Sequence, residues 1–590
     1  MFKRSVSVLT LAGVLSLLGA RDVSAIIAGD DAWKHDISIT SLPFAKAMDE
    51  NATRTHGVAV CALRVSNRSA VAHTVRLSCV SGDWRKEVKY QQECRLEPKQ
   101  SALVRFHILP ERFSNQRIVR VEIDGVPKGV FVLDPFPWGT AGLYSGQNPY
   151  LILLSPSIPG TGIMFRNISL RGDNKKVDEN LKHGSLLDGQ IPVSEWPAQW
   201  LAYTPADCVV LTQEEWETVP QDVRTALLGY LQAGGHLVLA GAAKEGGRGR
   251  VQIPVGLGTI STLSSADPEM WTKDHLEALI ASASRSASQW APLLKNTVSY
   301  PTDRVSVVPP LIPVFVVLLC VMLFLGPVLL IILAVRNKRI HLYWIAPSIA
   351  GAVSVFILIL ALFRDGISPI TRAQSVLYLN EASQTQVQLT TLSMTAPAGL
   401  YSPLRFPLSA EVTSAPANRE FASGSRRRTV KIEEELVLSS AWVPARVPMT
   451  FLLRDVQALT IPMLRVDDMK VTNPYPVPLQ RLLYCDAEGN HFTFVLDAPV
   501  PPGATALLKP YTPGDKAKAV SVFDTVKGTF FDAKPLDTVN KWFFPTSPYL
   551  NPLPPKTFLC ELDGTPFLEH PIRRGNVRHQ GKTLILGEMK

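Results

Sequence analysis

The residues best suited to chemistry lie between 137 and 300. A single cysteine falls there, Cys208, with His183, His236 and His275 for company. A cysteine with a histidine and a carboxylate is the minimal set for thiolate attack, since the histidine takes the thiol proton and the carboxylate orients the ring. The nucleophile must also stand on a sharp strand-to-helix turn beside backbone donors. Cys208 instead opens an apolar strand and has no glycine beside it, and the three histidines are expected at the surface or at element ends. The run 237–240 leads into Gly241, Ala242, Ala243 and Lys244 without any nucleophile. No G-x-S-x-G, H-E-x-x-H or G-x-x-x-x-G-K-[ST] occurs. The glycine-rich basic stretch 246–250 precedes Val251 and Gln252 rather than opening a helix, and reads as a flexible loop. No catalytic residue and no metal ligand is therefore assigned. In an open α/β sheet a small ligand binds outside the carboxyl ends of the strands. Ser155, Thr212, Gly241 and Lys244 are the candidate ligand-binding residues on that ground.

Those positions need a parallel sheet to hold them, and the apolar pattern predicts one. Continuous apolar runs at 150–154, 208–211 and 237–240 read as strands covered on both faces. Between the last two, Pro220 suits a first helical turn. Val223, Leu227, Tyr230 and Leu231 recur at helical spacing, and Gly234-Gly235 supplies a left-handed cap. Strand, helix, glycine pair, strand is a βαβ unit. A second helix is expected over 268–282, with Trp271, Leu276, Leu279 and Ile280 inward. On either side the pattern is β. Residues 26–136 hold short alternating runs separated by turns at Asn67-Arg68-Ser69, Ser81-Gly82-Asp83 and Asp124-Gly125, the spacing of an immunoglobulin-like β-sandwich. Modules of that kind carry other domains, bind partners or act as spacers. A linker is expected at 134–139. Residues 365–590 are proline-dense and again strand-like, which predicts a β-rich, sandwich-like domain with 419–428 as an exposed loop.

Two further runs bear on location. Residues 311–335 are 25 residues without a charge, and 344–363 are 20 more, against about 20 needed to cross a bilayer core. Three cations and no anion lie between them, which predicts a two-helix transmembrane hairpin over 309–364 with a cytoplasmic turn. Neither run holds an ionisable residue, so the hairpin is expected to anchor rather than transport. Lys3, Arg4, the apolar 6–18 and Val23-Ser24-Ala25 read as a signal peptide over 1–25. The expected fold class is a multidomain α+β membrane protein of the inner (cytoplasmic) membrane, with both large regions extracytoplasmic or periplasmic. Its expected partners are the lipid bilayer and other envelope or membrane proteins. The formal charge of +9 is spread along the chain, without a basic block interleaved with aromatics, so no nucleic-acid partner is expected. Of seven cysteines, Cys320 falls in the first run. The pairs Cys79 with Cys94 and Cys485 with Cys560 stand open as bridges or as buried thiols.

The stretches 200–203 (WLAY), 207–211 (DCVVL) and 227–240 (LLGYLQAGGHLVLA) resemble the core of class I glutamine-amidotransferase-like domains. They particularly resemble those embedded in uncharacterised bacterial membrane proteins. Gly256-Leu257-Gly258-Thr259-Ile260 is similar to the G-x-G and strand that follow there. Gly326-Pro327, the basic turn, Pro347 and the flanking β regions also fit. Auxiliary proteins of some ABC-type transport systems carry a similar pattern. The resemblance implies a flavodoxin-like, amidotransferase-like α/β domain over 137–300. Since the nucleophile is missing, that domain keeps the fold without the activity. The expected function is a non-enzymatic, membrane-anchored binding or scaffold protein of the cell envelope, without a cofactor. The alternatives are an envelope glycan or peptide hydrolase or transferase with a non-standard site, and an accessory subunit of an ABC-type transport system.

Overall fold

The computed structural model describes residues 33–42, 45–47, 57–83, 86–108, 117–133, 150–158, 184–189, 191–242, 252–267, 270–271 and 279. It also describes separate positions between 315 and 335, then 342–365, 368–396, 402–416, 428–440, 442–444, 449–494, 498–510, 555–573 and 577–590. The expected signal peptide, the linker 134–139, Lys244 and the stretch 246–250 lie outside the described residues.

In chain order the first strands are β1 (Ile37–Leu42), β2 (Ala45–Ala47), β3 (Ala59–Asn67), β4 (His73–Asp83), β5 (Lys86–Leu96), β6 (Ser101–Ile108), β7 (Arg117–Ile123) and β8 (Val126–Leu133). Then come β9 (Tyr150–Leu154), β10 (Gly184–Gly189), β11 (Cys208–Thr212), helices α1 (Gln213–Thr218) and α2 (Gln221–Gln232), β12 (His236–Ala240), β13 (Gln252–Val255) and β14 (Gly258–Leu263). Helix α3 (Leu342–Asp365) precedes β15 (Ile370–Asn380), β16 (Thr385–Thr395), β17 (Leu404–Phe406), β18 (Glu411–Pro416), β19 (Arg428–Ile432), β20 (Leu436–Ser439) and β21 (Met449–Ala458). The last are β22 (Val466–Asp467), β23 (Lys470–Thr472), β24 (Leu479–Cys485), β25 (His491–Phe494), β26 (Thr505–Pro510), β27 (Thr557–Asp563) and β28 (Arg578–Glu588).

Alternation explains the N-terminal layers. Leu63 and Val65 of β3, with Val104 and Phe106 of β6, turn one face of the sheet β1-β3-β6 inward. Val75, Leu77 and Cys79 of β4, Tyr90 of β5 and Val119 and Val121 of β7 meet it from the facing sheet, while Arg76 between Val75 and Leu77 points outward to Glu93 and Glu122. Period-two burial across two facing sheets is a sandwich. The second of those sheets runs β17-β20-β19-β5-β4-β7-β8, so strands from both ends of the chain share it. The joint is parallel, Arg428 opposite Val88 through Lys431 opposite Gln91. An eleven-stranded sheet, β18-β21-β16-β15-β28-β27-β24-β25-β26-β23-β22, holds the other eleven of the strands β15–β28.

The fold class expected from composition is corrected here. The described residues are mostly β-sheet with few helices, and none of those helices is long and apolar enough to cross a membrane. Of 311–335 only separate positions such as Phe315, Cys320 and Val335 are described. The second run does form α3, but Pro347 lies inside it and Asp365 ends it. Lack of charge along a run is therefore not sufficient for spanning, because crossing also demands a single helix long and apolar enough to cover the bilayer core. The transmembrane hairpin, the inner-membrane location and the membrane-protein class that rested on it are withdrawn.

Neither cysteine pair is bridged: no disulfide joins the described cysteines. Register gives the reason. Cys79 faces Tyr90 and Cys94 faces Val75 across β4 and β5, four positions apart, or about 13 Å along the strand. Cys485 faces Thr557 and Cys560 faces Leu482, three positions apart, and they pack into separate core clusters. A bridge needs Cα atoms within about 7 Å.

Candidate functional site

The α/β sheet has the order β13-β14-β12-β11-β9-β10-β2. Strands β10, β9, β11, β12 and β14 are mutually parallel along that row. Both faces are covered. Leu151, Leu153, Val209, Leu211, Leu237 and Leu239 pack against Val223, Leu227, Tyr230 and Leu231 of α2, and the alternate residues Ile152, Leu154, Val210, Val238 and Ala240 pack with Trp271 and Leu279. The chain moves from β9 outward to β10, then returns past β9 to lay β11 on its other side. Strand order thus reverses between β9 and β11, and such a switch point is where open α/β sheets hold ligands, at the carboxyl ends.

Two of the residues singled out by sequence stand at that point. Ser155 follows β9 and Thr212 ends β11. The Ser155 amide donates to the Val210 carbonyl at 3.0 Å and its carbonyl accepts from Ile158 at 3.1 Å. Its side chain is fully buried, and among the described residues its Oγ has no hydrogen-bond partner. Thr212 is differently placed. Its Oγ1 accepts from the Glu215 amide at 3.1 Å, and Glu215 Oε2 accepts from the Thr212 amide at 2.9 Å. This reciprocal capping box starts α1, so the hydroxyl and the carboxylate are committed to the helix end. Gly241 lies one strand further on, at φ +83, with its amide donating to Leu263. Lys244 cannot be placed with them, being outside the described residues.

The opposite end of the same sheet carries a dense polar network. Asp207 Oδ2 accepts from the Leu151 amide at 2.9 Å, and the Asp207 amide donates back to the Leu151 carbonyl at 2.7 Å. Tyr230 Oη donates to the Ala206 carbonyl at 2.9 Å and accepts from the His236 amide at 3.3 Å. Burial holds this phenol's pKa well above its usual value, with Cys208 and Asp207 nearby adding to the rise. His236 Nδ1 lies 2.6 Å from Thr259 Oγ1. Cys208 is a fully buried strand residue in the cluster of Ile152 and Val210. It stands at the amino end of its strand, away from the switch point.

That amino-end network extends into the eleven-stranded sheet through residues that sequence reasoning passed over. Helix α2 ends in a paired cap, Gly234 donating to Leu231 and Gly235 to Tyr230, the Schellman arrangement. Gly234 takes φ +104, and any side chain on Gly235 would meet the Tyr230 ring at 2.3 Å. The cap leaves the Ala233 carbonyl pointing away from the helix, where Arg454 Nη1 of β21 donates to it at 2.9 Å. The same guanidinium donates to Glu411 of β18 at 2.7 Å and lies 5.2 Å over the Trp200 ring. Trp200 Nε1 donates to the Ser409 carbonyl at 3.1 Å. Arg454 and Glu411 are 5% and 3% exposed, so this is a buried ion pair that clamps one unit to the other. Nothing local marks it: Arg454 and Glu411 are 43 residues apart, and Arg454 is 221 residues from Ala233.

Chemically, a buried serine hydroxyl with no base bonded to it is a hydrogen-bonding group and not an activated nucleophile. Among the described residues no three His, Cys, Asp or Glu side chains gather as a metal site. No protein-family model matches the chain. No curated protein matches it either. Among solved structures, an exo-chitosanase of Amycolatopsis orientalis is similar at 14% identity with a TM-score of 0.13, over 43% of this chain and 27% of that one. The match thus spans about a quarter of that enzyme's length, and a likeness of this size bears on neither fold nor function.

Proposed function

We propose that this protein is a binding or scaffold protein whose α/β unit is a rigid part of the framework rather than a catalyst. The observation that carries this is the position of Cys208. It is 0% exposed, inside the core cluster on one face of the sheet, and at the strand end opposite the switch point. Cys208 cannot act on a substrate from there, since its burial shuts the substrate out. Among the described residues Asp207 is tied to β9, Tyr230 of α2 to Ala206 and His236, and Thr212 with Glu215 caps α1.

A second reading, a hydrolase or transferase with a non-standard site, draws on Ser155, the one switch-point hydroxyl without a partner among the described residues. One pair of measurements separates them. On the full chain, a small thiol-directed alkylating agent should leave Cys208 unmodified until the protein is unfolded. Chemical cross-linking followed by mass spectrometry should recover a partner in fixed stoichiometry. Rapid native labelling of Cys208, or a solitary monodisperse chain that turns over an ester or amide in a Ser155-dependent way, would move the assignment to the enzyme.

A further inference from the structure

The loop between β27 and β28 fastens two sheets together, and two stacked histidines hold it down. His579 sits on β28 opposite Thr371 of β15, with its Nδ1 at 2.6 Å from Thr371 Oγ1. His570 of the loop lies on it, ring centroids 3.6 Å apart and planes tilted by 32°. Around this contact the loop reaches across to the edge of the shared sheet. The Pro571 carbonyl accepts from the Arg405 amide of β17 at 2.9 Å. Arg573 pairs with Glu435, just before β20, and with Glu569, while Arg405 also reaches Glu435 at 3.2 Å. Leu568 and Ile572 are buried in the same core as Leu404 and Phe406.

We propose that His570 and His579 form an acid-released latch that keeps residues 564–573 over the outer edge of β17. The geometry suits neutral rings alone. Two imidazolium ions cannot be held at this separation without strong repulsion. His570 Nδ1 is buried without a hydrogen-bond partner among the described residues. That is tolerable for a ring nitrogen with a lone pair, but protonation would make it a charged donor with no acceptor. His579 Nδ1 is engaged by Thr371, and no group of three His, Cys, Asp or Glu that could hold a metal is found among the described residues.

The charged groups around the latch do not offset the effect. From β28 come Arg578 and His579, and from β15 Arg372, which donates to Gln580 at 3.3 Å. From the β17 and β20 side come Arg405 and Glu435, and from the loop itself Glu569 and Arg573. Both carboxylates are engaged by Arg573. Burial lowers the pKa of His570, with His579 adding to the fall, and burial lowers that of His579. A histidine whose pKa is depressed in the closed state takes up its proton more readily once released. The latch is therefore complete above the ordinary histidine pKa of about 6.5, and weakens as the pH falls through that value.

Hydrogen exchange on the full chain at about pH 7.5 and about pH 5.5, corrected for intrinsic rates, tests this. Peptides covering 564–573 and β17 should exchange several-fold faster at the lower pH, while α2 should not change. His570→Phe keeps a ring on His579 but cannot charge, and should abolish the acceleration. Should that variant not fold, His579→Gln, which removes the repulsion, should reduce the acceleration in the same peptides. An even pH response across the chain, or acceleration at the loop that survives either substitution, would overturn the latch.

Discussion

The two ends of the parallel sheet use similar residue types to opposite effect. At the amino end Asp207, Tyr230 and His236 are tied to backbone or to one another, and the α2 cap is sealed by Arg454 from another sheet. At the carboxyl end Thr212 is spent on a helix cap, Gly241 turns the chain, and Ser155 is buried without a partner among the described residues. The difference teaches that a cluster of titratable groups is not in itself a site. Among the described residues the densest polar network of this unit lies where it joins its neighbour. The switch point, where a ligand would sit, is sparsely furnished among the described residues.

Substitution should reproduce that asymmetry, beginning with the clamp. Arg454→Ala leaves Glu411 buried and unpaired and the Ala233 carbonyl unmet, and should cost about 3–5 kcal/mol in urea unfolding. Replacing both partners together, Arg454→Met with Glu411→Leu, should recover most of that loss. A loss below about 1 kcal/mol for the single change would mean that the clamp does not hold the two units together. Tyr230→Phe strips one oxygen that serves both Ala206 and His236, and should lower stability by about 1–3 kcal/mol. At the other end, Thr212→Ala should cost only about 1 kcal/mol, the usual loss of a cap. The smallest effect belongs to Ser155→Ala, within about 0.5 kcal/mol of the parent or slightly above it, because no hydrogen bond is lost. If Ser155→Ala leaves the unfolding midpoint in place yet removes partner recovery in cross-linking, the switch point becomes the functional end. If Ser155→Ala unfolds the protein as readily as Arg454→Ala, the contrast between the ends fails.

Much of the α/β unit could be read without coordinates, because its signals are local. The runs that became β9, β11 and β12 are continuous and apolar since both faces are covered. Helix α2 shows its stripe at Val223, Leu227, Tyr230 and Leu231, and Gly234-Gly235 marks its end through backbone conformation and the nearness of the Tyr230 ring. Ser155, Thr212 and Gly241 could be named from strand ends alone, though whether each was spent or spare could not. The apolar runs after residue 310 misled for a related reason. Composition reports the solvent a segment tolerates, whereas spanning depends on the length and apolarity of the helix it forms.

Pairing between distant strands had no such local trace. Strand β19 lies beside β5, β2 closes the far edge of β10, and Arg454 finds Ala233, although each pair is separated by a long stretch of chain. Backbone edges offer the same donors and acceptors whatever their side chains, so an edge does not specify its partner. The choice falls to the total apolar surface that the assembled sheets remove from water. Short-range pattern was thus enough for the helix, the glycine cap and the buried strands. The shared sheet, the cysteine registers, the buried clamp and the histidine latch follow from burial summed over the whole chain.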